Sequence, residues 1–232
     1  MSGFVFKQFT VMQTRSAMKV STDGILLGAW AELKAAKRLL DIGTGTGLIA
    51  LMCKQRRTDS MVVAIEIDEQ ACLDAKANFA ASNWSDISLH QGAVQDFTTQ
   101  QAFDVVISNP PYFNHSLKGN NAARNVARHT DGLTFAELID AFKRVSHQNS
   151  VFNLILPCPE ADLFIRLAQQ QGLYLQRHCL VQTTVKKMPS RSLMCFSLHA
   201  TTCDEQSLCI YTQSNQYSAD YIALCKDFYL KM

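Results

Sequence analysis

The chain has 232 residues, 47% of them hydrophobic, and a formal net charge of +2. That is ordinary for one soluble globular domain with a sizeable core, and a charge so small neither demands nor excludes a nucleic-acid partner. No stretch approaches the roughly 18 apolar residues of a membrane span, the N-terminus lacks the long apolar core of a signal peptide, and the eight cysteines contain no C-x-x-C spacing, so they read as buried small hydrophobes in a reducing cytoplasm rather than metal ligands or disulfides.

From the N-terminus, residues 1–36 read as a short lid or hairpin. Strand and helix signals then alternate over residues 37–232, the core of a single domain. Strand 37–42 leads to helix 46–56, strand 61–66 to helix 69–82, and strands 87–91 and 103–108 follow. Helix 134–147 carries Phe135, Leu138, Ile139 and Phe142 at helical spacing. Strand 150–156 precedes helix 159–171, strands 173–183 and 192–200 form a closing hairpin, and strand 207–211 and helix 218–228 finish the chain. The fold class is therefore α/β: a doubly wound, mostly parallel sheet with an antiparallel terminal hairpin.

Three features carry chemistry. The first is Asp41-Ile42-Gly43-Thr44-Gly45-Thr46-Gly47, a strand end running into a glycine loop and a helix start. Glycines there let the backbone approach a nucleotide-type ligand. Leu48 makes the fit to G-x-G-x-x-G only partial, and no Gly-Lys-Ser/Thr follows, so a phosphate-gripping loop is not indicated. Asp41 is placed to meet a cationic ligand group. The second is Glu66, which closes strand 61–66 and lies 19 residues after Gly47, the usual spacing for an acid that accepts from ribose hydroxyls. Taken singly, the loop is also an ordinary tight turn and Glu66 a solvated acid.

The third is Asn109-Pro110-Pro111-Tyr112, which ends the apolar run Phe103–Ser108. Two prolines remove two backbone donors, so the sheet cannot continue and the tetrapeptide sits at the carboxyl end of a strand, where open α/β sheets bind ligands. Asn109 offers a side-chain carbonyl, the stiffened turn offers the Pro110 carbonyl, and Tyr112 offers an aromatic face. Two acceptors and a stacking surface suit a planar amino group such as N6 of adenine, and holding both N–H groups favours the pyramidal nitrogen of a transition state.

Together these motifs resemble the cofactor loop, ribose acid and catalytic turn of class I S-adenosylmethionine-dependent amino-methyltransferases. The opening segment Met18–Trp30 and the ending from Asn215 to Leu230 are similar to those of the bacterial tRNA(Val) adenine-N6 methyltransferase family, so the likeness runs along nearly the whole chain. The resemblance implies S-adenosylmethionine as cofactor, bound by Asp41, Gly43, Thr44, Gly45, Gly47, Glu66, Ile67, Val94 and Thr22, with Lys19 and Asp23 beside Thr22 closing over it. It implies Asn109, Pro110, Pro111 and Tyr112 as the catalytic turn, and adenine 37 of tRNA(Val) as target. One departure stands out. Related enzymes often carry an acid after the third strand, near the cofactor's adenine amino group; here Ala93 takes its place, leaving Asp96 or the Val94 backbone to do the reading.

With tRNA as partner, the basic stretch 113–130, with Lys118, Arg124 and Arg128, leaves directly from the catalytic turn and is expected to grip phosphates around a flipped base. Lys186, Lys187 and Arg191, at the turn of the terminal hairpin, form a second basic group. Rivals are weaker. Release-factor glutamine-N5 methyltransferases share Asn-Pro-Pro-Tyr but carry a helical domain before the loop, for which the 40 residues before Asp41 are too few. Ribosomal RNA guanine-N2 enzymes more often end the motif in Phe. DNA adenine enzymes need a recognition domain for which no insert here is long enough, so DNA is not an expected partner. A nicotinamide-dependent oxidoreductase using Gly43, Gly45 and Glu66 leaves Asn-Pro-Pro-Tyr unexplained. A cytoplasmic monomer is expected, without membrane or metal.

Overall fold

A computed structural model describes residues 3–33, 36–111 and 133–232. Ten strands and six helices are described. An N-terminal hairpin pairs β1 (Gly3–Val5) with β2 (Thr10–Met12) and is followed by α1 (Thr22–Trp30). Alternation then sets in: β3 (Arg38–Ile42), α2 (Leu48–Arg56), β4 (Met61–Glu66), α3 (Glu69–Ala81), β5 (Ser88–Gln91) and β6 (Phe103–Ser108). The second half comprises α4 (Phe135–Val145), β7 (Ser146–Pro157), α5 (Cys158–Gln170), β8 (Tyr174–Thr184), β9 (Arg191–Ser197), β10 (Asp204–Tyr211) and α6 (Ala219–Cys225).

The main sheet has eight strands in the order β10-β8-β9-β7-β6-β3-β4-β5. All pairings are parallel except those of β9, which runs antiparallel to both β7 and β8. The anticipated parallel sheet with an antiparallel hairpin is thus present. Its outer strand is longer than the expected 207–211, because β10 pairs with β8 from Asp204 onward.

Strand periodicity divides the core between two faces. Leu39, Val105 and Val151 point to the layer of α1, α2 and α6; their chain neighbours Leu40, Val106 and Phe152 point to α4 and α5. Helix α4 forms because Leu138, Ile139, Phe142 and Val145 make one apolar stripe. A reciprocal capping box between Thr134 and Glu137 starts it, and Lys143 and Arg144 in the last turn suit its dipole. Trp30 and Trp84 are both buried in the first layer.

The N-terminal segment is more than the expected lid or hairpin. Gly24 to Trp30 of α1 are buried, so an apolar helix stands where no amphipathic pattern announced one. A Cβ at Gly28 would lie 2.6 Å from Met52 Sδ, which is why α1 packs so closely on α2.

Helix α3 fastens this segment. The Asp74 carboxylate accepts from the backbone amides of Arg15 (2.9 Å) and Ser16 (2.9 Å), from the Thr14 hydroxyl (3.2 Å) and from the Arg15 guanidinium (3.2 Å). One turn later, Asn78 accepts from Met12 N and donates to the carbonyls of Met12 and Thr46, joining hairpin, helix and glycine loop. Burial opposes ionisation of Asp74, yet the Ser16 and Arg15 amides, with the Thr14 hydroxyl and Arg15 side chain, hold its carboxyl below the ordinary range. Asp74→Ala should therefore cost about 2–4 kcal/mol of unfolding free energy in urea titrations, since it strands buried donors. Because the folded value is depressed, that deficit is full near neutrality and should shrink as pH falls through the folded value. A deficit that is small, or that grows on acidification, would exclude this role.

Candidate active site

The site lies at the carboxyl ends of β3, β4, β5 and β6, as the topology of an open α/β sheet requires. A cavity of ≈ 600 Å³ opens there, within the ~300–1,000 Å³ typical of small-molecule sites. Its lining comes from the glycine loop, from Glu66 and Ile67 after β4, from Gly92 to Gln95 after β5, and from Asn109 and Pro111 after β6. Met18 to Ser21 and Gly24 border it from the N-terminal segment, and Leu133 and Glu137 from the start of α4.

The loop is held by its own backbone and by two carboxylates. Gly43 N and Thr44 N both donate to the Ile65 carbonyl (2.9 and 3.0 Å), which ties the loop to the end of β4. Gly43, Gly45 and Gly47 all have positive φ. At Gly43 and Gly45 an added Cβ would meet nothing within 4 Å among the described residues, so the loop offers an open cradle. Gly47 differs: a Cβ there would sit 2.4 Å from the Phe79 ring, and the residue does not line the cavity. It is the packing glycine that seats the loop against α3. Glu66 accepts from Gly45 N (2.8 Å) through Oε2 and from Ile67 N (2.8 Å) and Asp68 N (2.9 Å) through Oε1, so its carboxylate is fixed at the cavity wall.

Asp41 lies beneath the loop rather than in the lining. Its Oδ2 accepts from Thr44 Oγ1 (2.6 Å) and Ala50 N (3.1 Å), while Oδ1 is buried with no hydrogen-bond partner among the described residues. Burial pushes this carboxyl up to about 7; the Thr44 and Ala50 hydrogen bonds oppose the rise, and the charge of Glu66 adds to it.

At the end of β6, the Ser108 hydroxyl donates to the Ile42 carbonyl (2.9 Å) and so locks the strand end against β3. Asn109 follows, half-buried and facing the cavity. Pro110 is buried outside the lining, and exposed Pro111 borders it. Tyr112, Lys118, Arg124 and Arg128 lie outside the described residues.

Gly43, Thr44, Gly45, Glu66, Ile67, Val94 and Asn109 are thus gathered around one cavity. Thr22 and Asp23 are not among its lining residues: Thr22 opens α1, whose cap is Ser21, and Asp23 pairs with Arg191 (2.7 Å). Lys19 does border it, with Met18, Val20 and Ser21. Ala93 and Val94 also line it, whereas Asp96 is exposed outside the lining. Sequence reasoning missed Ser21, Gln95 and Glu137. A capping-box spacing at Thr134-x-x-Glu137 was there to place Glu137 at a helix start.

Because β9 is antiparallel to both its neighbours, β8 runs parallel to β7, and the turn after it emerges on the cavity side of the sheet. Lys186, Lys187 and Met188 are exposed on that turn. Arg191, at its foot, is committed to Asp23 and to the Ser190 carbonyl.

Comparison with known proteins agrees with this geometry. Residues 18–132 match the methyltransferase small domain family. The chain is 62% identical, over 100% of both chains, to a tRNA1(Val) (adenine(37)-N6)-methyltransferase of Pseudoalteromonas translucida. It is 44% identical to one of Phocaeicola vulgatus, over 99% of this chain and 98% of that one. Among solved structures, a predicted O-methyltransferase of Agrobacterium tumefaciens superposes with a TM-score of 0.65 at 18% identity, covering 89% of this chain and 96% of the other. A methyltransferase of Pyrococcus furiosus gives 0.55 at 21% identity, covering 76% and 81%.

The fold and the cavity at its strand ends define a class I methyltransferase, whose cofactor is S-adenosylmethionine. The residues present fit that group: an open glycine cradle, a fixed carboxylate beside it, and apolar walls from Ile67 and Val94. Within that class, the chain belongs to the tRNA1(Val) (adenine(37)-N6)-methyltransferase family.

The raised pKa of Asp41 has a measurable sign. The folded chain keeps a proton that the unfolded chain releases, so the associated stability is complete below the ordinary value of 3.8 and is lost as pH rises through about 7. In urea unfolding between pH 4 and 9, Asp41→Asn should gain on the parent as pH rises, by on the order of 4 kcal/mol across the window. Parallel pH profiles for the two proteins would show that the carboxyl ionises normally.

Proposed function

We propose that this chain transfers the methyl group of S-adenosylmethionine to N6 of adenine 37 in tRNA1(Val). The family membership supports the substrate. The observation that carries the chemistry is Asn109 at the wall of the same cavity as the glycine cradle and Glu66.

In this reading Glu66 accepts from the ribose hydroxyls, Gly43, Thr44 and Gly45 border the methionine end, and Ile67 and Val94 sandwich the adenine. Asp41 acts through the loop that it holds. The chemistry supplied by the bound cofactor is an electrophilic methyl on a sulfonium. The protein contributes alignment and exclusion of water. Asn109 Oδ1 and the Pro110 carbonyl hold the two N–H groups of the target amine, and Tyr112 stacks on its ring. No side-chain base is required, because the methylated nitrogen is strongly acidic until it releases its proton to water. Lys186 and Lys187, on the cavity side of the sheet, contact tRNA phosphates, as do Lys118, Arg124 and Arg128; Arg191 sets the foot of the turn. The chain works as a cytoplasmic, monomeric single domain and uses no DNA. None of the described helices is long and apolar enough to cross a membrane.

Asn109→Ala should lower methyl transfer to tRNA about 10²–10³-fold, with S-adenosylhomocysteine affinity held within a few-fold. The substrate is unmodified tRNA from a strain lacking the enzyme, read by nucleoside mass analysis. N6-methyladenosine is the expected product; N2-methylguanosine, or undiminished transfer by the variant, would overturn the proposal. Reversing both charges, Lys186→Glu with Lys187→Glu, should raise the KM for tRNA at least tenfold and flatten its salt dependence while sparing kcat. An unchanged KM would remove the turn from the RNA surface.

A further inference from the structure

The far end of the cavity has a polar device of its own. Moving along the strand ends from β3 to β5, the lining passes from the glycine cradle to Glu66 and then to Ile67, Gly92, Ala93, Val94 and Gln95, with Leu133 and Glu137 opposite. Gly92 N donates to the Glu66 carbonyl (2.8 Å), so this end is rigidly joined to the ribose acid. Its walls are apolar; Ile67, 69% exposed, faces out as a shelf. An adenine ring resting there presents an amino group that needs an acceptor and ring nitrogens that need a donor.

The Ala93 and Val94 carbonyls on that side are already engaged. The Val94 carbonyl already accepts from Arg144 Nη2 (2.6 Å) and Phe97 N (3.2 Å), and the Ala93 carbonyl accepts from Asp96 N (3.2 Å). Ala93 has no polar side chain, and Asp96 is outside the lining. Among the described residues, the polar side chains at this end are Gln95 and Glu137. Glu137 spends Oε2 on Thr134 N (2.8 Å) and Thr134 Oγ1 (2.7 Å), and the nearby Gln95 amide helps to hold its carboxyl below the ordinary range. A carboxylate only accepts, so the end of the Gln95 amide that suits Glu137 is its nitrogen. Turned that way, the amide presents its oxygen and its second N–H along one edge, a pair suited to a two-point contact.

Resting on the cofactor assignment above, we infer that Gln95 reads the cofactor's adenine: its carbonyl accepts from the exocyclic amino group and its second N–H donates to a ring nitrogen. Glu137 is the positioning residue that fixes the amide's orientation. The pairing is the bidentate one that suits Gln and adenine, and it supplies from two elements what Ala93 cannot. It also makes the site selective. A 6-oxo purine would set oxygen against oxygen, and the mismatched polar groups would be left unsatisfied.

Calorimetric titration without tRNA tests this, with S-adenosylhomocysteine and its deaminated analogue, S-inosylhomocysteine, as probes. The parent should prefer the adenosyl compound at least tenfold. Gln95→Ala, at an exposed position, should lose about five- to tenfold affinity for it while binding the inosyl compound within twofold of the parent, so that discrimination collapses. Glu137→Gln, whose carbonyl still serves the Thr134 cap, should show intermediate discrimination. Discrimination that survives in Gln95→Ala, or equal losses for both probes, would overturn the inference, as would a parent that binds neither. A parent that discriminates but methylates no tRNA would instead remove the proposed function and leave Gln95 in its role.

Discussion

The site rests on the carboxylate of Glu66. A side chain at the end of one strand collects three backbone N–H groups, one from the glycine loop and two from its own turn. Charge-assisted bonds of this kind are shorter and stronger than neutral ones. They set the distance between β3's loop and β4's end, and so the width of the cavity. The next strand is set from the same residue, since the Glu66 carbonyl receives Gly92 N. One residue thereby fixes the relative positions of three strand ends.

The opposite wall is not part of the sheet. Met18 to Ser21 reach the cavity from a segment held by Asp74 and Asn78 of α3 and by the close packing of α1 on α2. The Asp23–Arg191 pair joins the first turn of α1 to the foot of the basic turn after β8. The surface assigned to tRNA and the wall assigned to the cofactor are therefore connected through one ion pair between elements far apart in sequence.

How much of this could be read beforehand depends on where each residue's chemistry resides. The glycine loop, Glu66 and Asn109 were legible because each stands at the end of an apolar strand, and strand ends of a parallel sheet converge. The alternation that yields the sheet was legible for the same reason. Helix α1 was not: it is apolar on every side and contains two glycines, so no stripe distinguishes it from a buried extended run. Thr22 was placed one residue past the capping Ser21 that reaches the cavity. The burial of Asp41 and the packing role of Gly47 depend on neighbours, Ala50 and Phe79, that only the folded chain supplies. Gln95 and Glu137 come from separate segments, and only the approach of α4 to the end of β5 brings them together.

The two tryptophans have a practical bearing on how the molecule can be observed. Trp30 lies under the Arg177 guanidinium (4.3 Å from ring to cation), and Trp84 packs edge-on to Phe9. Both belong to the hydrophobic layer on one side of the sheet, and neither touches the cavity. Indole emission is therefore a gauge of whether that layer is intact and a poor gauge of ligand occupancy; an optical probe of the site has to be installed at its rim.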